Sequence, residues 1–82
     1  MNVNSSGKTL YVCISDNHAL RVRAMTKPKA IAVAVVYFAK QVKGWKPEHG
    51  GIFEKGNNKS VRRYLKEHTD VTWLNNGAPL EA

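Results

Sequence analysis

TLYVCISDNHALRVRAM, Thr9 to Met25, decides the fold. Leu10, Val12 and Ile14 alternate with Tyr11 and Cys13; Leu20, Val22 and Ala24 alternate with Arg21 and Arg23. Period-two alternation on both sides of a polar Asp-Asn-His cluster predicts two strands joined as a β-hairpin. Loop length then sets which side chains share a face. A two-residue loop would pair Val12 with Arg21 and Tyr11 with Val22, mixing the faces. A three-residue loop, Asp16-Asn17-His18, pairs Ile14 with Leu20, Val12 with Val22 and Leu10 with Ala24, and restores one apolar face. The pattern therefore favours the three-residue loop. Tyr11, Cys13, Arg21 and Arg23 would then occupy the other face, with Tyr11 opposite Arg23. An aromatic beside an arginine on an open sheet either stacks on a base or forms an ordinary cross-strand pair, and the single aromatic favours the pair.

Downstream, TKPKAIAVAVVYFAKQVKG (residues 26–44) predicts a helix capped by Thr26, with Pro28 in its first turn and Gly44 ending it. Ile31, Val35, Phe38 and Val42 follow helical spacing and would pack on the hairpin. Val33, Val36 and Tyr37 lie off that stripe and are also apolar, and no charge falls between Ala30 and Ala39. A helix apolar all round needs cover on all sides. Two covers would serve: the C-terminal half of the chain, with a second helix and Trp73, or another molecule, most simply a second copy. Trp45, just past the helix, would fold back on its last turn. GIFEK (51–55) has the pattern of a short strand, and GNNKSVRRYLKEH (56–68) reads as a turn and a short helix capped by Asn58 or Ser60. DVTWL supplies a last strand, closed by a turn at Asn75 to Gly77.

The expected architecture is α+β, with an antiparallel sheet and the helices packed on one face. A flexible leader (1–8), one domain (9–77) and a loose tail (78–82) complete the layout. No apolar run reaches the roughly 20 residues of a transmembrane helix, and MNVNSSGKT lacks the apolar core of a signal peptide. One cysteine, Cys13, excludes an intrachain disulfide. These features predict a cytoplasmic protein.

Of 82 residues, thirteen are Lys or Arg and six Asp or Glu, a net charge of +7. Twelve of the thirteen bases lie between Leu20 and Lys66, where only Glu48 and Glu54 are acidic. Such a balance points to a polyanionic partner: DNA, RNA, an acidic protein or a nucleoprotein. The second helix sharpens this. Its start carries Lys59, Arg62 and Arg63, although a helix N-terminus is itself positive and prefers anions. A Gly-Asn-Asn turn followed by cations suits a phosphate, and the first helix repeats the theme with Lys27 and Lys29. Lys59, Arg62, Arg63, Lys66, Lys27, Lys29, Arg21, Arg23, Asn58 and Tyr11 are the candidate contacts. Val33, Val36 and Tyr37 are the candidate protein-facing surface.

Enzymatic chemistry finds less support. SSGKT lacks the leading glycine of a phosphate-binding loop and precedes a strand instead of following one. His18, His49 and His68 have no paired metal-ligand spacing, and no cofactor motif is present. The sequence thus predicts a non-enzymatic module that binds nucleic-acid backbone or a nucleoprotein complex and regulates by occupancy. Two alternatives stand beside it. One is a phage- or plasmid-encoded inhibitor of a host defence complex, of anti-CRISPR or anti-restriction type, a reading taken from general plan. The other is a small ribonuclease using the histidines.

Overall fold

The computed structural model describes residues 7–82. The first six residues of the expected leader lie outside that range. The described chain is a single α+β domain in the order β1 (Thr9–Ser15), β2 (His18–Ala24), α1 (Lys27–Gln41), β3 (Ile52–Lys55), α2 (Lys59–Glu67), β4 (Thr72–Trp73) and β5 (Leu80–Glu81). The strands form one sheet in the order β3-β1-β2-β4, with β5 also on β2.

The hairpin turn has two residues, not three. Ser15 pairs with His18, Tyr11 with Val22, Val12 with Arg21 and Cys13 with Leu20. Asp16 and Asn17 both adopt left-handed backbone, φ 48° and 62°. That conformation matches the twist of the flanking strands, and Asx residues tolerate it. The expectation of one apolar face fails because the centre of this sheet is covered on both sides. Val12, Cys13, Ile14 and Ser15 are buried in unbroken succession, the mark of a strand between two layers.

The helices accordingly lie on opposite faces, not on one. Tyr11, Cys13, Leu20, Val22 and Ala24 meet Ala30, Ala34 and Phe38 of α1. Val12, Ile14 and Ala19 meet Val61 of α2, flanked by Tyr64, Leu65 and Trp73. Topology explains the arrangement. β3 and β4 sit at opposite edges, so the chain carrying α2 must cross the sheet, and α1 already occupies the other face.

Helix α1 is rotated from the expected stripe. Its buried residues are Ala30, Ala34 and Phe38, and Ile31 and Val35 flank them. Small side chains at the contact let the helix axis approach the hairpin closely. Thr26 caps its start, accepting from the Lys29 N–H at 3.4 Å. Beyond its end, Gly44 (φ 80°) reverses the chain and Trp45 stacks on Phe38, ring centroids 5.3 Å apart. The Trp45 indole N–H donates to Ser15 Oγ at 2.8 Å, and that hydroxyl donates to the Gly50 carbonyl.

The sheet is mixed, not wholly antiparallel. β4 and β5 both run parallel to β2, through His18–Thr72 and Ala19–Trp73, and through Val22–Leu80 and Arg23–Glu81. The C-terminal residues 80–81 are therefore a strand and not a loose tail, with the Ala82 N–H bonded to the Arg23 carbonyl at 2.9 Å. Leu80 joins the α1 core.

Strand β3 approaches β1 so closely that a Cβ at Gly51 would overlap the carbonyl oxygen of Ile14. Gly51→Ala must push β3 off the sheet. Such backbone strain costs on the order of 2 kcal/mol, roughly 10 °C in melting temperature for a domain of this size. Thermal and urea denaturation followed by circular dichroism check this.

Candidate functional site

Helix α2 has two chemically opposite faces. Val61 is buried, with Tyr64 and Leu65 half-buried beside it, and all three belong to the core of the second sheet face. Lys59, Arg62, Arg63 and Lys66 repeat the same i, i+3, i+4, i+7 spacing on the outward side, so they form one stripe. All four are exposed. With Glu67 they line an open groove of about 730 Å³. The ion pairs among the described residues are Lys8–Glu81, Arg23–Glu81, Lys27–Glu54 and His49–Asp16, and none involves the stripe. No acid lies in the first turn of α2.

The other six candidate contacts are not gathered there. Asn58 caps α2, its side-chain oxygen accepting from the Ser60 N–H at 2.7 Å. Lys27 and Lys29 open α1, on the far face of the sheet. Lys27 Nζ donates to Glu54 Oε2 at 2.9 Å. Arg23 lies 3.6 Å from Glu81.

Tyr11 is 5% exposed and packed under α1, so it offers no stacking surface. The two-residue turn separates it from the arginines, which share the α2 face with Val12. The aromatic that an arginine does meet is Trp73. The Arg21 guanidinium carbon lies 3.9 Å from the Trp73 ring centroid, and its Nη1 donates to the Gly77 carbonyl at 2.7 Å. The sequence does contain the signal for this contact. Val12 paired with Arg21 places the arginine beside the α2 core, where Trp73 also packs.

The apolar surplus of α1 is mostly covered from within, by β5 and not by α2 or Trp73. Val33 and Tyr37 are half-buried against the core that Leu80 completes. Val36 remains 60% exposed, in a groove of about 340 Å³ with Val33, Tyr37 and Leu80.

Two of the three histidines meet at Asp16. His18 Nδ1–H donates to the Asp16 carbonyl at 2.8 Å, and His49 Nδ1 contacts the Asp16 carboxylate. His68, the C-cap of α2, is exposed. It stacks on Tyr64, centroids 3.9 Å apart, with its Nδ1–H on the Tyr64 carbonyl. Among the described residues no three His, Cys, Asp or Glu side chains are grouped to hold a metal ion. No histidine lines the α2 groove. No protein-family model, no curated protein and no solved structure matches the chain.

Cys13 is fully buried, and burial pushes its thiol from 9.0 up to about 12. The native state therefore keeps the proton after the unfolded chain has lost it. The stability this contributes is intact below pH 9 and falls as pH rises from 9 toward 12. At pH 8 a thiol reagent should modify the native protein at least roughly 100-fold more slowly than the urea-unfolded chain. Absorbance of the released chromophore measures both rates.

Proposed function

We propose that the protein is a non-enzymatic module that binds nucleic-acid backbone along α2 and acts by occupancy. The observation that carries this is the stripe of Lys59, Arg62, Arg63 and Lys66, four cations on one exposed helix face with no ion-pair partner among the described residues. From Lys59 to Lys66 the stripe extends about 10 Å along the helix axis, enough to touch successive phosphates of a strand. The net charge of +7 adds long-range attraction for the same partner. Phosphate contact supplies affinity without reading sequence.

The charge arrangement also opposes the helix's own stability. A lysine at the first residue of α2 sits where the helix dipole favours an anion by about 0.3–1 kcal/mol. A cation there adds to the positive end of the helix dipole and strengthens the field a phosphate would meet.

A second reading rests on the apolar groove at Val36 and Tyr37. It would let the module dock on a protein, either a second copy or a host defence complex that the module inhibits. Recovery of a protein partner from nuclease-treated lysate, lost on Val36→Glu, would favour it over the nucleic-acid reading.

Affinity for oligonucleotides, measured by fluorescence anisotropy across a salt series, tests the main reading. Four phosphate contacts give a slope of log K against log salt of about −3.6 on duplex DNA and about −2.8 on a single strand. Joint Arg62→Glu and Arg63→Glu should abolish binding while leaving the melting temperature within a few degrees, since both positions are exposed. Affinity indifferent to salt would sink the proposal. Lys59→Glu should divide the two properties, raising stability by about 0.3–1 kcal/mol while weakening binding.

A further inference from the structure

Helix α2 covers only part of the second sheet face. It packs on Val12, Ile14 and Ala19 and leaves the end that carries Leu10 and Arg21. There a cleft of about 620 Å³ opens, with Leu10, Val12 and Arg21 along the sheet, and Leu65 and Trp73 from α2 and β4. Its remaining lining is Thr9, Lys55, Gly56 and Asn57, so two cations and no acid face it. The volume is that of a small-molecule site.

Arg21 is held in this cleft by two contacts. Trp73 backs its guanidinium, and Gly77 fixes one edge through its carbonyl. The backbone that presents this carbonyl is unusual: Asn75, Asn76 and Gly77 are all left-handed, φ 54°, 54° and 82°. Gly77 is required twice over, because a Cβ there would also press on Arg21 Nη1 at 3.0 Å. Asn and Gly are the residues that adopt this backbone readily, so the turn holds the Gly77 carbonyl against Arg21 in a fixed place.

We propose that this cleft takes an unpaired nucleobase, stacked on the Arg21 guanidinium and extending the Trp73–Arg21 stack, so that the partner is single-stranded nucleic acid. The assignment rests on the backbone-binding reading of α2 and names its substrate class. Charge and shape both favour a nucleotide. A nucleobase there would have Leu10, Leu65 and the Arg21 guanidinium around its faces, and its phosphate would meet Lys55. A base inside a duplex is already stacked and does not reach such a cleft, whereas a splayed single-strand base does. Lys55 and Asn57 on the rim lead directly to Lys59 at the head of the α2 stripe, so a strand leaving the cleft continues onto the four cations.

The test uses the full chain and a labelled oligonucleotide, as DNA and as RNA, each single-stranded and as its duplex, across a salt series. The wild type should favour the single strand. Trp73→Leu and Gly77→Ala, both charge-neutral, should each lower single-strand affinity by roughly 5- to 150-fold, the loss of one stacked base, and leave duplex affinity and the salt slope unchanged. Gly77→Ala keeps the aromatic, so it probes Arg21 placement even where Trp73→Leu compromises the core. A wild type that binds duplex as well as single strand overturns the assignment without recourse to any variant. Folded variants that bind single strand like the wild type overturn it while leaving the α2 stripe standing. A wild type that binds neither form at any salt overturns both.

Discussion

The two-residue turn at Asp16 and Asn17 is the constraint on which the rest of the structure depends. Because Ser15 pairs with His18, the two strands put Tyr11, Cys13, Leu20 and Val22 on one side and Val12, Ile14 and Ala19 on the other. Each side then has an apolar set to bury. One more residue in the loop would have gathered the apolar side chains on a single face and given α2 nothing to pack against. The turn is also joined to the far edge of the sheet. The Asn17 carbonyl accepts from the Thr72 N–H at 2.9 Å, and its side-chain amide donates to the Asp70 carbonyl at 3.2 Å. The residue that fixes the hairpin register thus also places β4, and with it Trp73.

Two-sided burial is demanding for 82 residues, because a short chain has too little apolar surface to fill two complete layers. The protein resolves this unevenly. The α1 side receives the larger core, closed by the Phe38–Trp45 stack and by Leu80. The α2 side receives four buried residues, Val12, Ile14, Ala19 and Val61. Its uncovered remainder becomes the cleft at Leu10, which is 38% exposed. The cleft is what a nine-residue helix leaves open on a sheet wider than itself.

Much of this was legible in the residues, and the illegible part has one origin. The hairpin, both helices and their caps, the short β3 and the inward packing of Trp45 all follow from local pattern, which reports directly on elements longer than about one turn. The two faces of α2 are visible in the spacing of Val61, Tyr64 and Leu65 against that of Lys59, Arg62, Arg63 and Lys66. Register is different, since it depends on whether one or both faces will be covered, a tertiary fact. Choosing one apolar face moved Tyr11 next to the arginines and concealed the pairing of Arg21 with Trp73. The two-residue strands β4 and β5 carry too few residues to show any period, so their parallel direction and the role of Leu80 could be known only once the sheet was assembled.

The distribution of acids gives the basic stripe its meaning. Glu54 goes to Lys27, Asp16 to His49, and Glu81 is shared by Lys8 and Arg23. Exposed pairs of this kind stabilise a fold by about 0–1 kcal/mol each, so their consequence lies less in stability than in the field they leave behind. They neutralise cations on the hairpin and around α1, and none of them reaches α2. Glu67 alone stands beside the four stripe cations, at the C-terminal end where the helix dipole is itself negative. At the other end the dipole and Lys59 add. The positive potential is therefore graded along α2 toward its first turn, which is also where the chain leaves the rim of the Leu10 cleft. On the proposed reading, a polyanion would meet the strongest part of that field at the junction of stripe and cleft.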